Sequence, residues 1–105
     1  MLNLNVKEFA ETIAQEGVTI LDVRTPEEFA EGFIEAARNI DFYRDDFEIE
    51  INSLDKESSY ALYCRSGKRS GQAAQMMQEA GFLSVSNLDG GMIDWANAGM
   101  PRVNN

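Results

Sequence analysis

The stretch Tyr60-Ala-Leu-Tyr-Cys64, followed at once by Arg65-Ser66-Gly67-Lys68-Arg69-Ser70, is the part of this sequence that decides its fold. Its first half is a continuous apolar run, which favours a buried strand. A short polar segment containing a glycine comes next, and a helical pattern begins at Ser70. We therefore predict that Cys64 lies at the floor of a loop whose backbone N–H groups point inward and hold an anion.

Cationic side chains are concentrated beside this cysteine. Arg65, Lys68 and Arg69 are three of only nine lysines and arginines in the chain. A thiol at a helix N-terminus next to cations has a pKa below its ordinary value of about 8.5, which makes the thiolate available near neutral pH. The sequence contains no histidine, so Cys-His and Ser-His nucleophile pairs within the chain are excluded.

The plainer interpretation of Cys64 is a small apolar residue that ends a buried strand, which is the common role of a free cysteine. Such a cysteine does not require the polar and cationic run that follows it here. A nucleophile that meets an anionic substrate does require one, and we therefore predict that Cys64 is catalytic.

Composition sets limits on the whole molecule. The 105 residues suffice for one core, so we assign 1–105 to a single domain. The net charge of −9 argues against nucleic acid or an anionic membrane surface as a partner. One cysteine and no histidine exclude an internal disulfide and a zinc site built from several such ligands. We expect neither a metal nor a cofactor.

The ends and apolar runs of the chain bear on its location. Residues 1–7 lack a basic region followed by an apolar core, and no run approaches the roughly 18 apolar residues of a membrane span. The sequence therefore predicts a cytoplasmic protein.

Strand and helix patterns alternate along the chain. The predicted strands are 18–23, 39–41, 60–64 and Ser84–Leu88. The predicted helices run from a cap at Asn5 to a stop at Gly17, from the capping box at Thr25 to about Glu31, over 70–80 with Gly81 at its end, and over 90–97 with Asp89 as its cap. Core positions are also expected in the segment that contains Phe47, Ile51 and Leu54. This alternation implies a parallel sheet covered on both faces, with sites at the carboxyl ends of strands.

Three pieces of the sequence, in one order, resemble the single-domain rhodanese family. They are Leu21-Asp-Val-Arg-Thr-Pro-Glu-Glu-Phe29, the loop Tyr63-Cys-Arg-Ser-Gly-Lys-Arg-Ser70, and Asn87-Leu-Asp-Gly-Gly-Met-Ile-Asp-Trp95 followed by Gly99-Met-Pro101. The resemblance implies an α/β, rhodanese-like three-layer domain with a central parallel sheet of about five short strands and helices on both faces. It also implies a thiosulfate sulfurtransferase-like enzyme, in which Cys64 accepts a sulfane sulfur as a persulfide and passes it on.

The resemblance assigns roles to further residues. The backbone amides of residues 65 to 69 would cradle the persulfide, and the active-site loop comprises Arg65, Ser66, Gly67, Lys68, Arg69 and Ser70. Arg65 and Lys68 would attract the donor, while Arg69 would close the loop. Asp22 and Arg24 are expected to form an architectural pair that orders loops near the site. The expected partners are a small anionic donor such as thiosulfate and, as acceptor, cyanide, a thiol or a protein that relays sulfur.

The chain departs from the family pattern at two places. It has Gly32-Phe-Ile-Glu-Ala-Ala37 where relatives usually show Gly-His-Ile-Pro-Gly-Ala, and Met92 where a tryptophan commonly follows the glycine pair. We interpret the changes at Phe33 and Met92 as changes in packing or in a partner surface, and an altered donor preference stays open.

Two other functions compete with sulfur transfer. One is a cysteine-dependent phosphatase or arsenate reductase, but such phosphatases have five residues between cysteine and arginine, whereas four separate Cys64 from Arg69. The shorter loop should be too tight for a tetrahedral oxyanion and suits a single sulfur atom. The other is a non-catalytic interaction or sulfur-carrier module, which predicts a missing or blocked nucleophile.

Overall fold

The computed structural model describes residues 1–104, which contain five strands and five helices in alternation. They are β1 (Leu2–Leu4), α1 (Val6–Ile13), β2 (Val18–Asp22), α2 (Pro26–Ala30), β3 (Arg38–Asn39), α3 (Phe47–Asn52), β4 (Ser59–Tyr63), α4 (Lys68–Glu79), β5 (Ser84–Leu88) and α5 (Gly91–Asn97). The strands pair in parallel in the order β1-β5-β4-β2-β3. This confirms the predicted α/β class. Within residues 1–104, no helix combines the length and the apolar character needed to cross a membrane.

Strand β4 lies in the middle of the sheet, and its side chains alternate between two apolar cores. Tyr60 and Leu62 pack into the core that contains residues of α3 and α4. Ala61 and Tyr63 pack into the opposite core, which contains residues of α1 and α5. Burial on both faces explains why this strand is apolar throughout, and it gives the three layers that were predicted.

Local signals predicted several helix ends correctly. The capping boxes at Asn5 and Thr25 are both present, each with a glutamate three residues later. Helix α1, however, ends at Ile13 and not at Gly17. Its last turn tightens into a bond of 3.2 Å from the Gln15 amide to the Thr12 carbonyl, and Gly17, with φ of 83°, turns the chain toward β2.

Other predicted boundaries were wrong by one or two residues. Helix α4 begins at Lys68 because Gly67, with φ of 93°, forms its N-cap. Asp89 does not cap α5; the N-cap is Gly90, and the Asp89 amide donates to the Leu4 carbonyl at 2.9 Å. Strand β3 covers Arg38–Asn39 and not 39–41, although beyond it the Ile40 amide still donates to the Asp22 carbonyl at 2.9 Å and the Phe42 amide to the Val23 carbonyl at 3.2 Å. Edge strand β1 was not predicted.

Candidate active site

Cys64 directly follows β4, so it lies at the carboxyl end of a central strand, as expected. Three elements fix the loop after it. Gly67 starts α4 at a positive φ, where an added Cβ would collide with the Asp89 carbonyl. The first turn of α5 holds the loop from the other side, since the Met92 amide donates to the Cys64 carbonyl at 2.9 Å and the Ile93 amide to the Arg65 carbonyl at 3.0 Å.

The sulfur atom of Cys64 accepts hydrogen bonds from the loop. The donors are the Gly67 amide at 3.1 Å, the Ser70 amide at 3.4 Å and the Ser70 hydroxyl at 3.3 Å. Cys64 is fully buried. The residues of the loop thus surround one atom, as a cradle for a single sulfur would require.

These contacts explain the acidity of the thiol. Burial by itself raises the pKa of Cys64, but hydrogen bonds from the Ser70 hydroxyl and from the backbone N–H groups of Ser70, Ser66 and Gly67 outweigh it, and the net pKa is lowered. The direction agrees with the expectation from sequence. The main cause of the lowered pKa differs from the expectation. Backbone amides and a hydroxyl lower it, whereas the sequence had also indicated cationic side chains.

The six loop residues are buried, exposed or, for Arg69 alone, half-buried. Gly67 and Ser70 are buried against the sulfur, while Arg65, Ser66 and Lys68 are exposed at the mouth. Among the ion pairs of residues 1–104, none involves Arg65 or Lys68. Their charges therefore face solvent, where an approaching anion meets them first.

Arg69 is placed differently from the other two cations of the loop. Both of its terminal nitrogens donate to Glu28, with Nη1–Oε1 at 2.8 Å and Nη2–Oε2 at 2.9 Å. The Tyr43 ring lies 5.4 Å from the guanidinium carbon. The bond from Arg69 lowers the pKa of Glu28 to about 2, and the same bond raises the pKa of Arg69. Sequence reasoning assigned Glu28 to a helix cap and missed both Glu28 and Tyr43 as partners of the loop.

Asp22 and Arg24 form a buried ion pair at the end of β2. The Arg24 Nη2 lies 2.7 Å from Asp22 Oδ2 and also 2.7 Å from the Gly32 carbonyl, to which it donates. The Asn39 side chain donates to the carbonyls of Asp22 and Arg24 at 3.0 and 2.9 Å. Among the described residues, neither member of the pair hydrogen-bonds to Cys64, so the contacts are those of residues that order loops.

The two departures from the family pattern lie in packed surroundings. Phe33 stacks on Phe29 with ring centroids 4.1 Å apart and planes at 12°. Its backbone also pairs with Val103 through bonds of 2.9 and 2.8 Å. Met92 is buried in the core of α1 and α5, directly behind the loop.

Asn87, on β5 between β1 and β4, is a further contact of the loop that sequence reasoning missed. Its Nδ2 donates to the Gly67 carbonyl at 3.3 Å and to Asn3 Oδ1 at 3.0 Å. The side chain is buried and thereby connects β1, β5 and the active-site loop. The one feature of the sequence that could have indicated this contact is a polar asparagine within a predicted buried strand.

Three grooves lie near these elements, and the one that includes Gly67, Lys68 and Asn87 has a volume of about 510 Å3. One of about 190 Å3 lies beside the loop and includes Arg24, Arg65 and Ile93. A wider apolar groove of about 660 Å3 includes Val18 and Trp95 and lies toward the amino-terminal end of β2, away from Cys64. The described residues hold no group of three or more histidine, cysteine, aspartate or glutamate side chains that could bind a metal ion.

Fold and site together define a class: a parallel α/β domain that holds a cysteine of lowered pKa within a cradle of backbone amides. The Rhodanese-like domain family matches residues 5–98, and the chain belongs to this family.

Individual relatives agree with this assignment. The chain is 39% identical over 88 residues to a sulfurtransferase of Allochromatium vinosum, an alignment covering 84% of this chain and 80% of the relative. It is 35% identical over 83 residues to the thiosulfate sulfurtransferase PspE of Escherichia coli, covering 79% and 76% of the two chains. The crystal structure of a rhodanese-related protein from Thermoplasma volcanium superimposes with a TM-score of 0.87 at 28% identity and covers 100% of both chains.

Proposed function

We propose that this protein is a sulfurtransferase that carries sulfane sulfur as a persulfide on Cys64. The observation that supports the proposal most directly is the set of three hydrogen-bond donors within 3.4 Å of the sulfur. A cysteine that only fills space in a core needs no such donors. Relatives that are sulfurtransferases support the same reaction class.

The first half of the reaction uses the lowered pKa of Cys64. With thiosulfate as donor, the thiolate attacks the outer sulfur, a new S–S bond forms, and the bond between the two donor sulfurs breaks. Sulfite leaves with the electron pair of that bond, and Cys64 becomes a persulfide that carries one negative charge. Arg65 and Lys68, exposed at the mouth, draw the dianionic donor toward the loop.

The second half returns the enzyme to its starting state. Cyanide or a thiolate attacks the outer sulfur of the persulfide, and the S–S bond breaks. Thiocyanate or a new persulfide leaves, and the Cys64 thiolate is regenerated with the electron pair. The amides that hold Sγ stabilise this leaving thiolate, because their hydrogen bonds are stronger to an anion than to a neutral thiol.

Thiocyanate formation from thiosulfate and cyanide tests the proposal. We expect turnover by the wild type and none by Cys64→Ser, together with a gain in mass of one sulfur atom when the wild type meets the donor alone. Ser66→Ala, which alters an exposed side chain of the same loop, serves as the matched control and should still take up sulfur. A wild-type protein that gains no sulfur from thiosulfate, polysulfide or a glutathione persulfide would overturn the proposal.

A further inference from the structure

We propose that Glu28 determines the specificity of the loop by holding the Arg69 guanidinium, which keeps a positive charge out of the Cys64 cradle and prevents oxyanions from settling there. The inference rests on the proposed function, since it takes Cys64 as the residue that carries the sulfur and that oxyanions would block. It adds a role for a residue of α2 that lies 41 positions from Arg69 in the chain.

The geometry of the pair leaves Arg69 little freedom. Each carboxylate oxygen of Glu28 accepts from a different terminal nitrogen of Arg69, at 2.8 and 2.9 Å, which is the bidentate arrangement. The Arg69 and Glu28 side chains are only 17% and 25% exposed. The Tyr43 ring lies against the same guanidinium. Water and competing ions therefore have limited access to the charge.

Glu28 is itself held in place by α2. Its Oε1 accepts from the Thr25 amide at 3.0 Å and from the Thr25 hydroxyl at 3.1 Å, while the Thr25 hydroxyl accepts from the Glu28 amide at 3.2 Å. The carboxylate that caps the helix is thus the carboxylate that binds Arg69. The cap thereby orients the Glu28 carboxylate toward Arg69, and moving the guanidinium away would break a bidentate ion pair.

The consequence concerns the charge inside the loop. Because Arg69 is bound to Glu28, the groups that contact Sγ are neutral N–H and O–H donors, which suit one singly charged sulfur. A tetrahedral oxyanion with two charges is bound well by a guanidinium that donates two parallel bonds, and the interior of the cradle holds none, since Arg65 is exposed at the mouth. Thiosulfate then enters sulfur first with its sulfonate at the mouth, near Arg65 and Lys68, and the product sulfite meets no cation inside the cradle.

The backbone of Arg69 lies beside the cradle, next to a residue that contacts the sulfur. The charge on Cys64 contributes to the raised pKa of Arg69, after the larger effect of the Glu28 hydrogen bond. Arg69 also lies in the first turn of α4, one residue before Ser70, whose hydroxyl reaches the sulfur. A change at Glu28 should therefore convert a neutral cradle into a cationic one.

The test measures how inorganic phosphate protects Cys64 from alkylation by the neutral reagent iodoacetamide, which does not depend on sulfur transfer. In Glu28→Gln we expect phosphate to protect at a concentration about tenfold lower than in the wild type, because a freed guanidinium gains charge-assisted hydrogen bonds. The double variant Glu28→Gln/Arg69→Gln should lose this gain. Equal protection of wild type and Glu28→Gln would overturn the proposal.

Two further variants separate specificity from helix stability. Thr25→Ala removes part of the same cap but leaves Glu28 and Arg69 paired. The phosphate concentration that protects Cys64 from alkylation should therefore be the same in this variant as in the wild type. Glu28→Asp shortens the carboxylate and provides a milder change if Glu28→Gln does not fold; it should show a smaller gain in the same direction. A gain in phosphate protection in Thr25→Ala as large as in Glu28→Gln would contradict the proposal. If Glu28→Gln is unfolded, the absence of such a gain in Glu28→Asp would contradict it as well.

Discussion

The Ser70 hydroxyl lies 3.3 Å from the Cys64 sulfur and donates a hydrogen bond to it, while the amide of the same residue donates at 3.4 Å. One residue of the first turn of α4 thus supplies two of the three donors to the sulfur. Ser70 is itself fully buried, so water does not compete with the sulfur for its hydroxyl. The thiolate of Cys64 depends on this residue more than on any cation at the mouth.

Replacing Ser70 with alanine should make Cys64 less acidic. The substitution removes the side-chain bond that favours the thiolate, so the pH profile of iodoacetamide alkylation shifts to higher pH. The rate of sulfur uptake at neutral pH should fall about tenfold, since a hydrogen bond to a charged group contributes roughly 1.5 to 3 kcal/mol. Ser66→Ala is the control, because Ser66 acts on Cys64 through its backbone N–H. Coincident profiles for the two variants would contradict the assigned role.

Lys68 should act on donor capture and hardly on the chemical step. Its side chain is exposed at the mouth of the loop, so Lys68→Ala should raise KM for thiosulfate severalfold at low ionic strength and leave kcat nearly unchanged. The difference should shrink as salt is added. Lys56→Ala, which makes the same change in net charge in the turn before β4, where Lys56 donates to the Ala80 carbonyl, should leave KM unaltered. A KM for Lys68→Ala equal to that of the wild type at low salt would show that Lys68 does not meet the donor.

The parts of the fold that sequence predicted are those encoded by neighbouring residues. Strand β4 was visible as an apolar run, and the caps at Asn5 and Thr25 were visible because a glutamate follows each at three residues. The loop after Cys64 was visible because its glycine and charges are contiguous. These signals act over one helical turn or one strand, and they do not depend on the rest of the chain.

The parts that sequence missed depend on residues far apart in the chain. Strand β1 has three mostly exposed residues and exists because β5 offers it an edge. The contact between Glu28 and Arg69 spans 41 residues, and the contact between Asn87 and Gly67 spans 20. Glu28 has an adequate local explanation as part of a helix cap, so nothing in the local pattern indicates its second partner.

Gly91 should tolerate no side chain. Its φ of 62° is costly for any other residue, and an added Cβ would collide with the Arg65 carbonyl. Gly91→Ala should lower the free energy of unfolding by roughly 2 to 4 kcal/mol, measured by urea denaturation. Gly99→Ala is the matched control, since Gly99 has φ of 73° with open space around it; its cost should be about 1 kcal/mol. Equal losses in the two variants would show that the approach to the loop is unimportant.

Ala36 offers a site for stabilisation. It has φ of 72° and is the one residue other than glycine with a positive φ among the described residues. Ala36→Gly should relieve this strain, although the greater conformational freedom of glycine in the unfolded chain offsets part of the gain. The net free energy of unfolding should rise by roughly 0.5 to 1 kcal/mol. Ala37→Gly, the neighbouring change without such strain, should lower it. A loss of stability in Ala36→Gly would contradict the strained backbone assigned to this position.

The pair of Glu28 and Arg69 should make stability depend on acid. The pKa of Glu28 is lowered from 4.5 to about 2 by its bond to Arg69. A carboxyl whose pKa is lower in the folded state stabilises fully above its unfolded value, and this contribution is lost as pH falls through the folded value. The coupling energy from a cycle of Glu28→Gln, Arg69→Gln and the double variant should therefore be constant above about pH 4.5 and decline toward about pH 2. Urea denaturation across this range measures it, and a coupling energy that stays flat down to pH 2 would mean that the folded protein does not hold the two groups as an ion pair.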